Sequence, residues 1–203
     1  MFRVAVLASG GGTDFQSIID AVECGYLNCS IEALITDNPK AYAIKRAENH
    51  KIKTYVFDRK QYKGKLSDEI LKVLEEKVDL IVLAGWLSIL KGDLLKKYNH
   101  KIINIHPSLI PSFCGDGMYG IKVHERAIEY GVKVSGCTVH FVDEGTDTGA
   151  IILQKAVEVL DNDTAESLQK RVLEEEHKML PKAIKLISEG NVKVEGRKVK
   201  IRG

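Results

Sequence analysis

The sequence predicts an α/β protein with a mostly parallel, twisted sheet, helices on both faces and antiparallel strands in the C-terminal half. Three observations carry that expectation. Through the first half, short apolar runs alternate with helical stretches about every 10–15 residues, the rhythm of βαβ units. Those runs are apolar throughout, which marks strands buried on both faces. After residue 133 the pattern changes to two longer runs joined by an acidic, glycine-bearing turn.

The elements follow in order. Residues 2–8 form the first apolar run and end on a glycine cluster. Residues 13–24 place Phe15, Ile18, Ile19 and Val22 at helical spacing. Residues 31–36 read as a strand, 41–51 as a helix and 54–57 as a short strand. Residues 66–76 are a helix with Ile70, Leu71, Val73 and Leu74 inward, and 79–83 the clearest buried strand. A short helix at 93–98 and a strand at 102–106 follow. Right-handed crossovers then put helices on both faces, and sites in such sheets lie beyond the carboxyl ends of the strands. Residues 112–120 hold three glycines and no period, so they read as a loop. Residues 123–130 are helical, and 134–142 and 151–159 are strands joined by 143–149. The longest helix runs over 164–188, capped by Asp163 or Thr164 with Glu166 in its first turn. Residues 192–194 and 199–201 suggest a terminal hairpin around Glu195-Gly196-Arg197. With no repeat or linker, residues 1–203 read as one domain.

Composition excludes several classes. Thirty basic and 28 acidic residues leave a formal charge of +2, too balanced for a nucleic-acid partner. Cys24, Cys29, Cys114 and Cys137 form no CxxC and are too sparse for a disulfide scaffold, which fits a reducing cytoplasm. The first apolar run is too short for a signal peptide. No stretch approaches the ~18 apolar residues that span a bilayer, so no membrane partner is expected. No HxH or HxxxH spacing occurs, so no metal is expected.

The cluster Ser9-Gly10-Gly11-Gly12-Thr13-Asp14 opens the first helix, where unpaired N–H groups suit a phosphate. Phe15 stands where a dinucleotide fingerprint has its third glycine, and no P-loop lysine follows. A monophosphate site and a plain tight turn both fit. Asn104 and His106 share one side of a strand end. A histidine moves protons near neutral pH, and an amide stabilises an oxyanion. The pair reads equally as a turn-capping histidine and a loop-bound asparagine. Asp147 lies in an acidic loop where most carboxylates are solvated. Should that loop return to His106, its charge would orient the imidazole and raise its pKa. His50 and His100 read as exposed, His124 heads a helix, His140 lies inside a strand, and His177 follows three glutamates.

Several runs together resemble one known family. Asn104-Ile-His-Pro-Ser-Leu-Ile-Pro111, Ser135-Gly-Cys-Thr-Val-His-Phe-Val142 and Asp147-Thr-Gly-Ala-Ile-Ile-Leu-Gln154 look like the phosphoribosylglycinamide formyltransferases, among the folate-dependent formyltransferases. Leu7-Ala-Ser-Gly-Gly-Gly-Thr13 and Leu83-Ala-Gly-Trp-Leu-Ser-Ile-Leu90 match as well. The resemblance implies a Rossmann-like formyltransferase fold, with a nucleotide-binding half over 1–106 and a folate-binding and catalytic half over 107–203. It implies formyl transfer from 10-formyltetrahydrofolate, a co-substrate, to the amine of glycinamide ribonucleotide in purine biosynthesis. The partners it implies are these small molecules, on a monomer or homodimer.

By the same resemblance Asn104, His106 and Asp147 are catalytic. Gly12, Thr13, Asp14 and Glu176 hold the ribonucleotide. Arg59, Leu87, Ser88, Ile89, Leu90, Asn104 and Asp143 face folate, with the apolar faces near Trp86 holding the pterin, although Ile89 is expected in the core. The chain departs from the pattern at Asp14, where asparagine is common, and at Ser88, where some members carry arginine. Its loop over 113–120 is longer than in many members, and its glycines suggest a mobile cover. A related hydrolase would be expected to add an N-terminal regulatory domain, and a tRNA formyltransferase a basic C-terminal one. A non-catalytic nucleotide-binding module would explain the glycine cluster but not the three polar residues together.

Overall fold

The computed structural model describes residues 1–202, which fall into two compact units that divide after Asn104. The strand order is β3-β2-β1-β4-β5-β6-β7, with β8 and β9 as a separate antiparallel pair. The fold class read from the sequence is the one observed.

The first unit holds β1 (Phe2–Leu7), α1 (Thr13–Glu23), β2 (Cys29–Thr36), α2 (Ala43–Asn49) and β3 (Thr54–Val56). It continues with α3 (Arg59–Tyr62), a 3₁₀ turn (Lys63–Lys65), α4 (Leu66–Leu74), β4 (Leu80–Leu83), α5 (Asp93–Lys97) and most of β5 (Ile102–His106). Its pairs β1–β2, β1–β4, β2–β3 and β4–β5 are all parallel. Travel across the sheet reverses after β3, so right-handed crossovers put α1 and α2 on one face and α4 and α5 on the other. Contacts between α1 and α2, and between α4 and α5, agree. Covered on both faces, Val4–Leu7 and Leu80–Leu83 are buried without alternation.

Two details bear on function. Gly12, which caps α1, has φ +70°, and a Cβ there would lie 2.8 Å from that of Ala43. Only glycine meets both demands. The helix α3 was not expected. Four residues are too few to show a period, and Asp58 starts it by accepting from Lys60 N at 2.9 Å.

The second unit holds the end of β5, α6 (Ile121–Tyr130), β6 (Val134–Phe141), β7 (Ile151–Glu158), α7 (Ala165–Ser188) and the hairpin β8 (Val192–Glu195) and β9 (Lys198–Ile201). Strands β6 and β7 pair antiparallel from Val134↔Glu158 to His140↔Ile151, with a register shift at Val139/His140. Helix α7 packs on both strands and on α6. Thr164 caps it in a box with Ser167, rather than with Glu166. Its buried stripe runs Leu168, Val172, Glu176, Leu180, Ala183, Ile184, so Glu176 occupies a position at which core spacing calls for an apolar side chain.

Candidate active site

His106 ends β5 and is 4% exposed. Its Nδ1 lies 3.5 Å from Asp147 Oδ2. Its Nε2 lies 2.9 Å from the carbonyl oxygen of Phe113. A carbonyl only accepts, so Nε2 carries the hydrogen in this arrangement. The loop between β6 and β7 therefore does return to His106. It is held in place by short-range chemistry. Phe141 N donates to Ala150 O at 2.9 Å. Asp143 Oδ1 accepts from Gly145 N at 3.1 Å and from Thr148 Oγ1 at 2.5 Å. Gly149 sits so close to β6 that a Cβ would meet the Phe141 carbonyl oxygen at 1.7 Å. Asp147 itself adopts φ +57°, a left-handed conformation that Asp tolerates better than most residues.

Asp147 lies between two imidazoles. His140 Nε2 is 3.7 Å from Asp147 Oδ1, and Gly115 N donates to Oδ2 at 3.0 Å. Sequence reasoning had passed over His140 as a strand residue. The signal was there: with Thr138 it is one of two polar side chains, two apart, in the otherwise apolar end of β6, three residues before Asp143 opens the acidic loop. Thr138 is itself built in, donating to Ser108 O at 2.6 Å and accepting from Ile110 N at 3.1 Å.

Electrostatics correct one expectation. Burial pushes His106 below its ordinary pKa, outweighing the opposite pull of Asp147 and the Phe113 carbonyl, while His140 adds to the lowering. Asp147 thus favours the charged imidazole without lifting it above the usual value. For Asp147, burial acts upward. The adjacent His140 and His106 rings and the Gly115 N–H together overcome it, and the carboxyl titrates below its usual range. His124 on α6 is 1% exposed and its Nδ1 has no partner. Burial, then His106, pushes it down to about 4, so it is neutral at neutral pH.

In the first unit, Gly10 and Gly11 are exposed and Cβ atoms there would meet nothing. Thr13 is exposed and Asp14 half-buried in the first turn of α1. Burial lifts the Asp14 carboxyl to about 7. Arg46, which no motif singled out, braces this turn by donating to Gly11 O at 2.9 Å and Gln16 Oε1 at 3.0 Å. Residues 84–91 leave β4 as an irregular segment. Leu87 is 46% and Ile89 63% exposed, while Leu90 is buried. Ile89 is thus not a core residue; with no helical or strand period here, its place in the sequence did not reveal its direction. Arg59 and Ser88 both reach Asp37, at 3.6 and 2.5 Å. Asn104 is half-buried on β5, and Glu176 is 7% exposed. Asp143 spends its Oδ1 on its own loop.

A buried histidine beside a carboxylate at a strand end of an α/β sheet is a pair able to hold or move a proton, and comparison with known proteins names the family. The formyl transferase family model matches residues 2–184, and the chain belongs to that family. The chain is 43% identical over 188 residues to the phosphoribosylglycinamide formyltransferase of Bacillus subtilis (strain 168), covering 91% of this chain and 94% of that protein. It is 43% identical over 195 residues to the human trifunctional purine biosynthetic protein adenosine-3. That match covers 95% of this chain but only 19% of the human protein. The crystal structure of glycinamide ribonucleotide transformylase 1 from Symbiobacterium toebii superposes with TM-score 0.93 at 40% identity, covering 100% of this chain and 95% of that one. None of the described helices is long and apolar enough to cross a membrane.

Proposed function

We propose that this chain is a phosphoribosylglycinamide formyltransferase. It moves the formyl group of 10-formyltetrahydrofolate to the amine of glycinamide ribonucleotide, a step of purine biosynthesis. The observation that carries the reading is the buried contact of His106 with Asp147 in a family whose relatives bear that name.

The substrate amine, neutral, attacks the formyl carbon and a tetrahedral oxyanion forms. Asn104 and His106 donate to that oxygen. One such donor is worth roughly 2.7–4 kcal/mol of barrier. Burial keeps His106 largely neutral before reaction. The developing oxyanion adds a second negative charge to that of Asp147, so the imidazole takes a proton from solvent water at Nδ1, the nitrogen that faces Asp147, and returns it to solvent when the intermediate collapses. The Phe113 carbonyl, which accepts from Nε2 at rest, gives up that hydrogen to the formyl oxygen. The amine proton passes to the departing folate nitrogen through water. No covalent intermediate is required. Ser108 Oγ is committed to Ser112 O at 2.6 Å, and burial pushes the Cys114 thiol up, so neither is an activated nucleophile.

In this reading the turn over Gly12, Thr13 and Asp14 takes the ribonucleotide phosphate on backbone N–H groups, and Glu176 takes the glycinamide end. Leu87 and Ile89 offer apolar surface to the pterin, with Leu90, Asn104 and the Asp143 loop completing the folate contacts, while Arg59 and Ser88, both on Asp37, support that surface rather than touch folate. The enzyme acts on small molecules in the cytoplasm, as a monomer or homodimer. His106→Ala and Asp147→Ala are expected to lower kcat at least about 100-fold while both substrates still bind by calorimetry. Near-normal kcat in either variant overturns the assignment.

A further inference from the structure

Asp37 follows the last residue of β2 and is 0% exposed. One of its oxygens, Oδ2, accepts from Ser88 Oγ at 2.5 Å and lies 3.6 Å from Arg59 Nη1. The other, Oδ1, has no hydrogen-bond partner. A buried carboxylate with an unsatisfied oxygen destabilises a fold unless something else requires it. Its partners suggest what does. The first unit contains four buried polar or charged residues, Ser9, Thr36, Asp37 and Ser67. Three of them hold the same irregular segment over 84–91. Ser9 Oγ accepts from Leu87 N at 2.9 Å, Asp37 takes Ser88 Oγ, and Ser67 Oγ accepts from Lys91 N at 3.0 Å. The anchors come from the ends of β1 and β2 and from α4. Between them the segment holds out Leu87 and Ile89, 46% and 63% exposed. An irregular loop showing two large apolar side chains to water has no core of its own to order it. Its order comes from these buried acceptors.

We propose that Asp37 is a positioning residue for folate: through Ser88, and with its charge balanced by Arg59, it fixes the segment whose Leu87 and Ile89 receive the pterin. Arg59 then acts by neutralising Asp37 rather than by touching the co-substrate. The proposal rests on the folate reading of residues 87–90.

The test is steady-state kinetics on the whole chain. Ser88→Ala and Asp37→Ala are expected to raise KM for 10-formyltetrahydrofolate about tenfold, the effect of losing one charge-assisted hydrogen bond. KM for glycinamide ribonucleotide and kcat stay within about twofold. Ser88→Thr, which keeps the hydroxyl, restores the folate KM. The double variant is no worse than Asp37→Ala alone, because both remove one contact. Arg59→Lys is near wild type and Arg59→Ala is intermediate. Should Asp37→Ala fail to fold, Ser88→Ala and the Arg59 pair carry the test, since both sites are partly exposed. Leu87→Asp separates the two ideas. If it leaves the folate KM unchanged, the folate reading of the segment falls, and the proposal with it. If it raises the KM while Ser88→Ala does not, only the positioning role of Asp37 is overturned. Equal changes in both KM values also overturn it.

Discussion

Gly149→Ala tests how Asp147 is delivered to the two histidines. The added methyl would stand 1.7 Å from the Phe141 carbonyl oxygen and 2.6 Å from its carbon, both backbone atoms at the end of β6. Real Cβ contacts do not fall below 3.0 Å, so the β6 end and the returning chain must part by about 1.3 Å. No side-chain rotation relieves such a clash. The bond from Phe141 N to Ala150 O that closes the loop is the first loss. Asp147, two residues upstream, moves with it, away from His106 at 3.5 Å and His140 at 3.7 Å. Overpacking against a backbone costs about 1–3 kcal/mol of stability. A shift of about 1 Å in a positioning group lowers the rate roughly 100-fold. Gly145→Ala is the control. Its methyl would meet Thr148 Oγ1 at 2.1 Å, and rotation of that side chain relieves the clash at the cost of its bond to Asp143 while leaving the Phe141–Ala150 closure in place. The assay is kcat for formyl transfer beside urea unfolding of both variants. The expected result is a loss near 100-fold for Gly149→Ala and at most about fivefold for Gly145→Ala. A folded Gly149→Ala protein turning over at the wild-type rate refutes the reasoning.

Two pH predictions follow from burial. Asp14, lifted to about 7, is neutral below that pH and charged above it. A bound phosphate is repelled by the charged form, so KM for the ribonucleotide rises several-fold between about pH 6 and about pH 8. Asp14→Asn removes that dependence, and an unchanged profile in the variant contradicts the placement of the phosphate. His124, pushed down to about 4, takes up a proton near its ordinary pKa only when the chain unfolds. Its contribution to stability is complete above about 6.5 and is lost as pH falls towards 4, reaching about 2 kcal/mol lost by pH 5. Urea unfolding at neutral pH and at pH 5 should show a loss larger by about that amount in the wild type than in His124→Leu, which keeps the loss due to His106. Equal pH slopes in the two proteins would show that His124 is not buried neutral.

Much of the fold was legible because both-face burial leaves an unmistakable mark. Val4–Leu7 and Leu80–Leu83 are apolar at every position, as strands covered by helices must be. Asp163 and Thr164 announced α7 as alternative caps, and Thr164 is the one that caps it. The short α3 was hidden because four residues carry no period. Residues 84–91 were opaque for a related reason. Direction in an irregular segment is set by its anchors, so Ile89 faces out and Leu90 in.

The candidate site was legible in proportion to how local it is. Asn104 and His106 share one strand, and period two brings them to one side. Asp147 depends on a loop closed by Gly149 against Phe141, a contact no spacing rule reports. Asp37 was missed because a lone polar residue just after an apolar strand says nothing of its partner, and His140 because its pairing with Thr138 along β6 does not say what the two face. The sign of the His106 shift was also beyond reach, since it turns on burial exceeding the pull of Asp147.

The central claim is tested most directly by giving the purified chain 10-formyltetrahydrofolate with and without glycinamide ribonucleotide. Formylglycinamide ribonucleotide should form in step with tetrahydrofolate release, with negligible free formate when the ribonucleotide is absent. Steady formate release to water at a comparable rate, with no formylated ribonucleotide, would contradict the account and point to a hydrolase.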